Sequence, residues 1–314
     1  MENSNVRVMG MRRRNRNRML FYIALIAFPL AQFIAFYVYV NANSIIMAFQ
    51  EYSIQAGTKG WTITPAGFGN FRAVFDALKD RLYLIENSLI NFVFNFGVGL
   101  TLAVIFSFYL YKKYPMSGLF KVILFIPKIV PGIVFTMLFE YIATDVYMFV
   151  AKELTGEVVK GLFDNPATEF PAVLFYTVWF SFGINVLLFN GAMCNINESI
   201  VESAHLDGAN IIQEFWYITL PSIWGTFTTF VVITLSGIFT HQMSLFSFYG
   251  NGGMHIGTLG YYLYVGANVS SLIGKDGYLT YPQLSAMGLL STAILAPITL
   301  FIKWAMRKFG PSVN

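Results

Sequence analysis

Two groups of residues in this 314-residue chain have types and spacings suited to chemistry or recognition. The first lies in the run 197–221. It carries Glu198, Glu202, Asp207 and Glu214 and no Lys or Arg. Residues 198–208 contain few helix breakers, with Asn197 placed to cap a helix whose early turns hold acids. Ala204, Gly208 and Ala209 fall at i, i+4 and i+5, which leaves one side of that helix bare for close approach by another protein. Gly208 should end or bend the helix. Residues 209–217 can form a second one, and Pro221 breaks it. The expected product is a helix–glycine–helix elbow with an acidic face, suited to insertion into a groove of a partner.

The second group is polar and aromatic, set within apolar runs. Thr177, Phe180, Ser181, Ile184 and Asn185 follow helical spacing, and Ser236, Phe239, Thr240 and His241 form a second cluster. Hydroxyls and amides beside an aromatic ring are what a sugar requires of a binding site. The competing reading is ordinary helix packing. Asn87, Asn91 and Asn95 share one helical face and serve either a solute path or interhelical hydrogen bonds. His241 is either a proton relay or a hydrogen-bonded structural or pore-lining group. Lys128, between Pro127 and Pro131, either snorkels or meets carbonyls freed by the prolines. Gly274, Lys275 and Asp276 resemble the end of a phosphate loop, but the following Ser/Thr is missing and Val269 stands where the first Gly belongs. No His/Asp/Glu cluster has metal-ligand spacing, and Cys194, the only cysteine, excludes an intrachain disulfide.

These groups must be positioned by a membrane protein. The chain is 56% apolar, 18% aromatic and only 11% charged, with mean hydropathy +0.60. Soluble domains carry about 25% charge. A span needs about 20 mostly apolar residues. Six segments qualify, roughly 19–48, 86–111, 119–143, 171–196, 222–248 and 281–306. Arg12, Arg13, Arg14, Arg16 and Arg18 precede the first, which is too long for a signal peptide core and reads as a retained span. Lys112, Lys113 and Lys121 flank one short loop, and Lys303, Arg307 and Lys308 close the last span. The positive-inside rule then places both termini in the cytoplasm, and counting spans from both ends puts the acidic 197–221 loop there too. The net charge of +4 is an orientation signal, not a nucleic-acid surface. Outside, residues 67–78 have the pattern of an amphipathic helix, 249–253 read as a turn, and 258–267 as a short helix.

The acidic loop closely resembles the EAA loop of ABC-importer permeases. That family's pattern is E-A-A, three residues, G, nine residues, I-x-L-P. This chain has Glu202, Ser203 and Ala204, then Gly208, then Ile218, Leu220 and Pro221, with every interval matching and Ser203 for the central Ala as the one departure. Asp207, Ala209 and Phe215 also fit. Phe68, Gly69, Asn70 and Phe71 followed by Asn87 and Ser88, the run Phe125, Ile126 and Pro127 with Pro131, and Thr258 and Leu259 with Tyr262, Tyr264 and Ala286 extend the likeness to the carbohydrate-type (maltose/glycerol-phosphate) group.

The resemblance implies an all-α, six-helix polytopic membrane protein of the type I importer permease kind. Residues 1–18 would form a basic cytoplasmic arm, 19–306 the permease domain and 307–314 a cytoplasmic tail. Glu202, Ser203, Ala204, Asp207, Gly208, Ala209, Leu220 and Pro221 would couple to an ATPase. Thr177, Phe180, Ser181, Asn185, Ser236, Phe239, Thr240 and His241 would hold a sugar or oligosaccharide. The implied partners are a second permease subunit, two ATP-binding-cassette subunits that bind ATP and Mg, an extracellular solute-binding protein and membrane lipid. The chain itself would hold no cofactor and perform no catalysis. A permease for a non-sugar solute is the alternative within the class. An ion-driven secondary transporter is the alternative outside it, but the spans lack a convincing set of buried acids.

Overall fold

The computed structural model describes residues 2–54, 61–269 and 279–311. The chain divides into two units, residues 1–74 with 271–289 and residues 75–270 with 290–314. Gly274, Lys275 and Asp276 lie outside the described residues.

In the first unit, α1 (Glu2–Phe33) runs through a π turn (Ile34–Val38) into α2 (Tyr39–Met47). An antiparallel hairpin follows, β1 (Gln50–Ile54) paired with β2 (Trp61–Pro65) in the register Tyr52 to Ile63. Sequence reading did not anticipate this hairpin. The expected amphipathic helix is present as α3 (Gly69–Lys79). Asn70 fastens its start: the buried amide donates to the carbonyls of Ala48 at 2.9 Å and Gln50 at 2.8 Å. Phe49, Phe68 and Phe71 pack edge to face and tilted around that joint, with centroids 5.1–5.7 Å apart.

In the second unit, α4 (Leu82–Phe94), a π turn (Asn95–Leu100) and α5 (Thr101–Tyr111) make one continuous apolar helix. Next come α6 (Ser117–Ile129), α7 (Gly132–Tyr141), a π turn (Ile142–Val146), α8 (Tyr147–Thr155) and the long α9 (Pro166–Met193). Ser107 on α5 donates to the Val186 carbonyl on α9 at 2.8 Å, the kind of hydroxyl bond that holds helices together in lipid. Gly183 lets α6 approach α9 closely, because a Cβ there would strike the Leu124 carbonyl. An apolar core built from Leu100, Val104, Phe108, Val186, Phe189 and Met193 joins α5 and α9.

The elements α10 (Glu198–Leu206), α11 (Ile211–Glu214), a π turn (Phe215–Thr219), α12 (Leu220–Ser222) and α13 (Trp224–Ser236) follow. The described chain closes with α14 (Leu245–Tyr249), α15 (Leu259–Val269) and α16 (Tyr281–Phe309), which begins in the first unit and ends in the second. The expected short helix near 258–267 is α15. The expected turn at 249–253 holds Gly250 at φ +57°.

Among the described residues, five helices are long and apolar enough to span a membrane, and a sixth span forms if α11–α12 and α13, bent by 70°, count as one. Two spans differ from expectation. Hydropathy puts the third at 119–143, but the chain breaks at Val130, whose ψ of 136° is extended, and the long apolar helix is Gly132–Thr155. The Pro131 ring disfavours helical geometry at the residue before it. Hydropathy puts the fifth at 222–248, yet α13 is only 13 residues, roughly 20 Å long. It ends at Ser236, where the Gly237 amide donates back to Ile233 and Thr234, and no regular helix resumes before α14.

Candidate functional site

The elbow is built from caps. Asn197 opens α10 by accepting from the Ser199 amide at 3.1 Å. Asp207 is the C-cap, and Gly208 follows at φ +83°. The Gly208 amide donates to His205 at 3.1 Å, and the Ala209 amide reaches back to Ala204 at 2.9 Å. These two bonds are a Schellman turn, which needs a left-handed residue at the position Gly208 holds. Asn210 starts the next helix in a capping box with Gln213, at 2.9 Å one way and 2.8 Å the other.

The elbow has an inner and an outer surface. Val201, Phe215 and Leu220 face inward onto the core around Phe108. Ala204, Ala209 and Pro221 are half-buried, and Glu202, Ser203, Asp207 and Gly208 are exposed. The outer face is less acidic and more apolar than its sequence suggests. Leu206 is 88% exposed, Tyr217 78% and Ile212 70%, beside an exposed Trp216. Sequence reading stressed the carboxylates and passed over these side chains, although four large apolar residues between two spans were visible. The structure also moves one acid inside: Glu214 is fully buried and contacts Lys112 and His205. The loop holds no Lys or Arg of its own, and Lys112 reaches it from the end of α5.

A second feature lies within the helices. A cavity of about 290 Å³ is lined by Asn91, Asn95, Ser181, Asn185, Thr234 and His241, with Phe92, Phe230, Ile233 and Ile238 as apolar walls. This is just under the usual range of roughly 300–1,000 Å³ for ligand pockets. Asn95 begins the π turn and donates to the carbonyl and side-chain oxygens of Asn91 at 2.9 and 2.7 Å. His241 Nδ1 accepts from the Met243 amide at 3.1 Å. Ser181 donates to the Thr177 carbonyl at 2.9 Å, which satisfies its proton and leaves its oxygen able to accept.

The eight expected solute residues do not form one set. Ser181, Asn185 and His241 meet in the cavity. Ser236 and Thr240 line a separate groove with Ser291, Thr292 and Thr299. Thr177 is buried and donates to Val173 at 2.8 Å. Phe239 packs against the apolar core. Phe180 stacks on Tyr176, with centroids 5.6 Å apart, and carries the Lys128 ammonium 3.8 Å above its ring. Of the three asparagines, Asn91 and Asn95 line the cavity, while Asn87 makes a helix contact by donating to the Gly257 carbonyl at 3.0 Å.

At the other end of α9, the buried Glu169 is 2.8 Å from His255 Nε2. Burial first, and the Glu169 carboxylate second, push the nearby Tyr249 phenol well above its ordinary range. Among the described residues, no group of three or more His, Cys, Asp or Glu is placed to hold a metal.

Apolar helices thus frame a cavity with amide, hydroxyl and aromatic groups in its wall, and a capped two-helix elbow follows α9. Residues 95–314 match the family described as "Binding-protein-dependent transport system inner membrane component", and the chain belongs to that family. It is 26% identical over 272 residues to YurN of Bacillus subtilis (strain 168), a probable ABC transporter permease protein, covering 83% of this chain and 89% of that one. It is 26% identical to the arabinooligosaccharides transport system permease protein AraP of Halalkalibacterium halodurans, over 66% of this chain and 64% of AraP. The fold matches a chain of the bacterial alginate ABC transporter, solved in complex with its alginate pentasaccharide-bound periplasmic protein. That match has a TM-score of 0.73 at 18% identity and covers 96% of this chain and 98% of the other.

Proposed function

We propose that this chain is one permease subunit of an ATP-driven importer that moves a sugar or oligosaccharide by alternating access. The observation that carries the reading is the elbow. Its Schellman turn at Gly208 joins two short helices that present an exposed apolar and acidic surface. In this reading both termini and the elbow are cytoplasmic. The elbow docks on an ATP-binding-cassette subunit that binds ATP and Mg, and a second permease subunit completes the path. A solute-binding protein delivers the solute from outside. The sugar assignment is supported by the cavity's amides, hydroxyls and aromatic walls and by relatives named for oligosaccharide transport.

The test is reconstitution. The chain, purified with whatever subunits accompany it, is placed in liposomes with ATP inside and labelled oligosaccharides with their binding protein outside. ATP-dependent uptake is expected, with no hydrolysis by the chain alone. Uptake driven by an ion gradient without ATP would refute the proposal in favour of a secondary transporter.

A further inference from the structure

Glu214 ends α11 with no solvent-exposed side-chain surface. Lys112 Nζ donates to both of its oxygens at 2.8 Å. His205 Nε2 lies 2.8 Å from Oε2, so its N–H donates there as well. One carboxylate thus joins three segments: α10 through His205, α11 through its own backbone, and the end of α5 through Lys112. Phe108 and Phe215 close the same seam with centroids 5.1 Å apart. Among the described residues, the Glu214–Lys112 pair is the elbow's side-chain polar tie to a spanning helix.

Burying charges in a pair is weak evidence for stability, because desolvation offsets the attraction. Its better-attested use is to fix a register. The elbow has need of one. Its helices are nine and four residues long, too short to hold shape alone. The break and 70° bend at Ile223 interrupt the path from elbow to α13. The continuous helix Leu82–Tyr111 has no such break, and it carries Asn91 and Asn95 of the cavity.

We propose that Glu214 is a positioning residue for energy coupling. It locks both elbow helices to the end of α5, so that displacement of the elbow reaches the cavity along the second span. This rests on the reading that the elbow receives the ATPase's motion.

The test uses the assembled, reconstituted complex. Solute moved per ATP, basal hydrolysis and binding-protein affinity are measured for wild type, Glu214→Gln, Lys112→Met and the exchanged pair K112E with E214K. The single variants should lower solute per ATP about fivefold or more, with basal hydrolysis and binding-protein affinity retained. The exchanged pair should recover coupling. Single variants that assemble and transport at the wild-type ratio would overturn the proposal. So would an exchanged pair that assembles yet stays uncoupled, or failure of all three variants to assemble, which would make Glu214 a folding residue only. Absence of ATP-dependent uptake by wild type would instead count against the functional reading beneath it.

Discussion

Replacing Gly208 tests whether backbone geometry at the elbow matters for transport. The residue holds φ +83°, and a Cβ built there would meet no atom within 4 Å. Substitution therefore adds no clash, and its whole cost is conformational. An L-residue forced into the left-handed region costs roughly 1–2 kcal/mol, and a β-branched one sits at the high end or above. That is small against a folding stability of about 5–15 kcal/mol, so the chain should still insert and assemble. Locally it shifts the elbow between its Schellman geometry and relaxed alternatives by about 5–30-fold. The two bonds at risk are Gly208 to His205 and Ala209 to Ala204. The expected order of solute moved per ATP in liposomes is wild type, then Gly208→Asn, since Asn tolerates this region, then Gly208→Ala, then Gly208→Val. Wild-type coupling in Gly208→Val would refute the reasoning. Equal losses in all three variants would show that something other than φ is responsible.

The cavity and the separate groove make different predictions. Ser181→Ala and Asn185→Ala should each weaken uptake by up to about tenfold, a hydroxyl or amide contact being worth about 0.5–1.5 kcal/mol. Their effects should be non-additive with each other and additive with Ser236→Ala, as a double-mutant cycle on uptake would show. Gly183→Ala should lower the melting temperature of the detergent-solubilised protein, since overpacking costs about 1–3 kcal/mol, whereas Gly191→Ala, where a Cβ meets nothing within 4 Å, should not. Cys194 is exposed next to the elbow, so a membrane-impermeant maleimide should label it in inside-out vesicles and not in intact cells; the reverse pattern would invert the topology.

Features set by one residue's own chemistry were legible in the chain. Asn197 as a cap, Gly208 as a left-handed stop and the helix near residues 67–78 each follow from local preferences, and the structure places them there. Features set by a distant partner were not. Glu214 reads as one more acid of a polar loop until Lys112, 102 positions away, is placed against it. The third span illustrates a different failure. Residues 119–129 are apolar enough to pass for the start of a span, while Asp145, Lys152 and Glu153 make its true continuation look like loop. Pro131 was the better guide than hydropathy. Gly237 caps α13, and a glycine is a legible stop, but the apolar run that continues past it reads as one span. The solute set was split for a related reason. Helical spacing shows which residues share a face of one helix, but not which faces of two helices converge.

That convergence bears on where force would travel. The helix Leu82–Tyr111 meets the cavity at Asn91 and Asn95 and the elbow at its terminal neighbour Lys112. By the helical rise these two points are roughly 25 Å apart. Between them the helix is held to α9 by Ser107, which donates to the Val186 carbonyl, and by Asn190, which donates to the Ser107 carbonyl at 3.4 Å. The π turn at Asn95 is the one irregularity in its hydrogen-bond ladder, and it falls at the cavity wall. A rod that is stiff from the elbow upward and irregular at the cavity delivers displacement where the polar side chains are. The fifth span, although next to the elbow in sequence, begins after a 70° bend and lacks that continuity. Variants that soften the seam, such as Phe215→Ala, should therefore reduce coupling more than variants on the exposed face of α13 away from the cavity, such as Thr229→Ala. Equal effects at both positions, read as solute moved per ATP, would place the path in the fifth span instead.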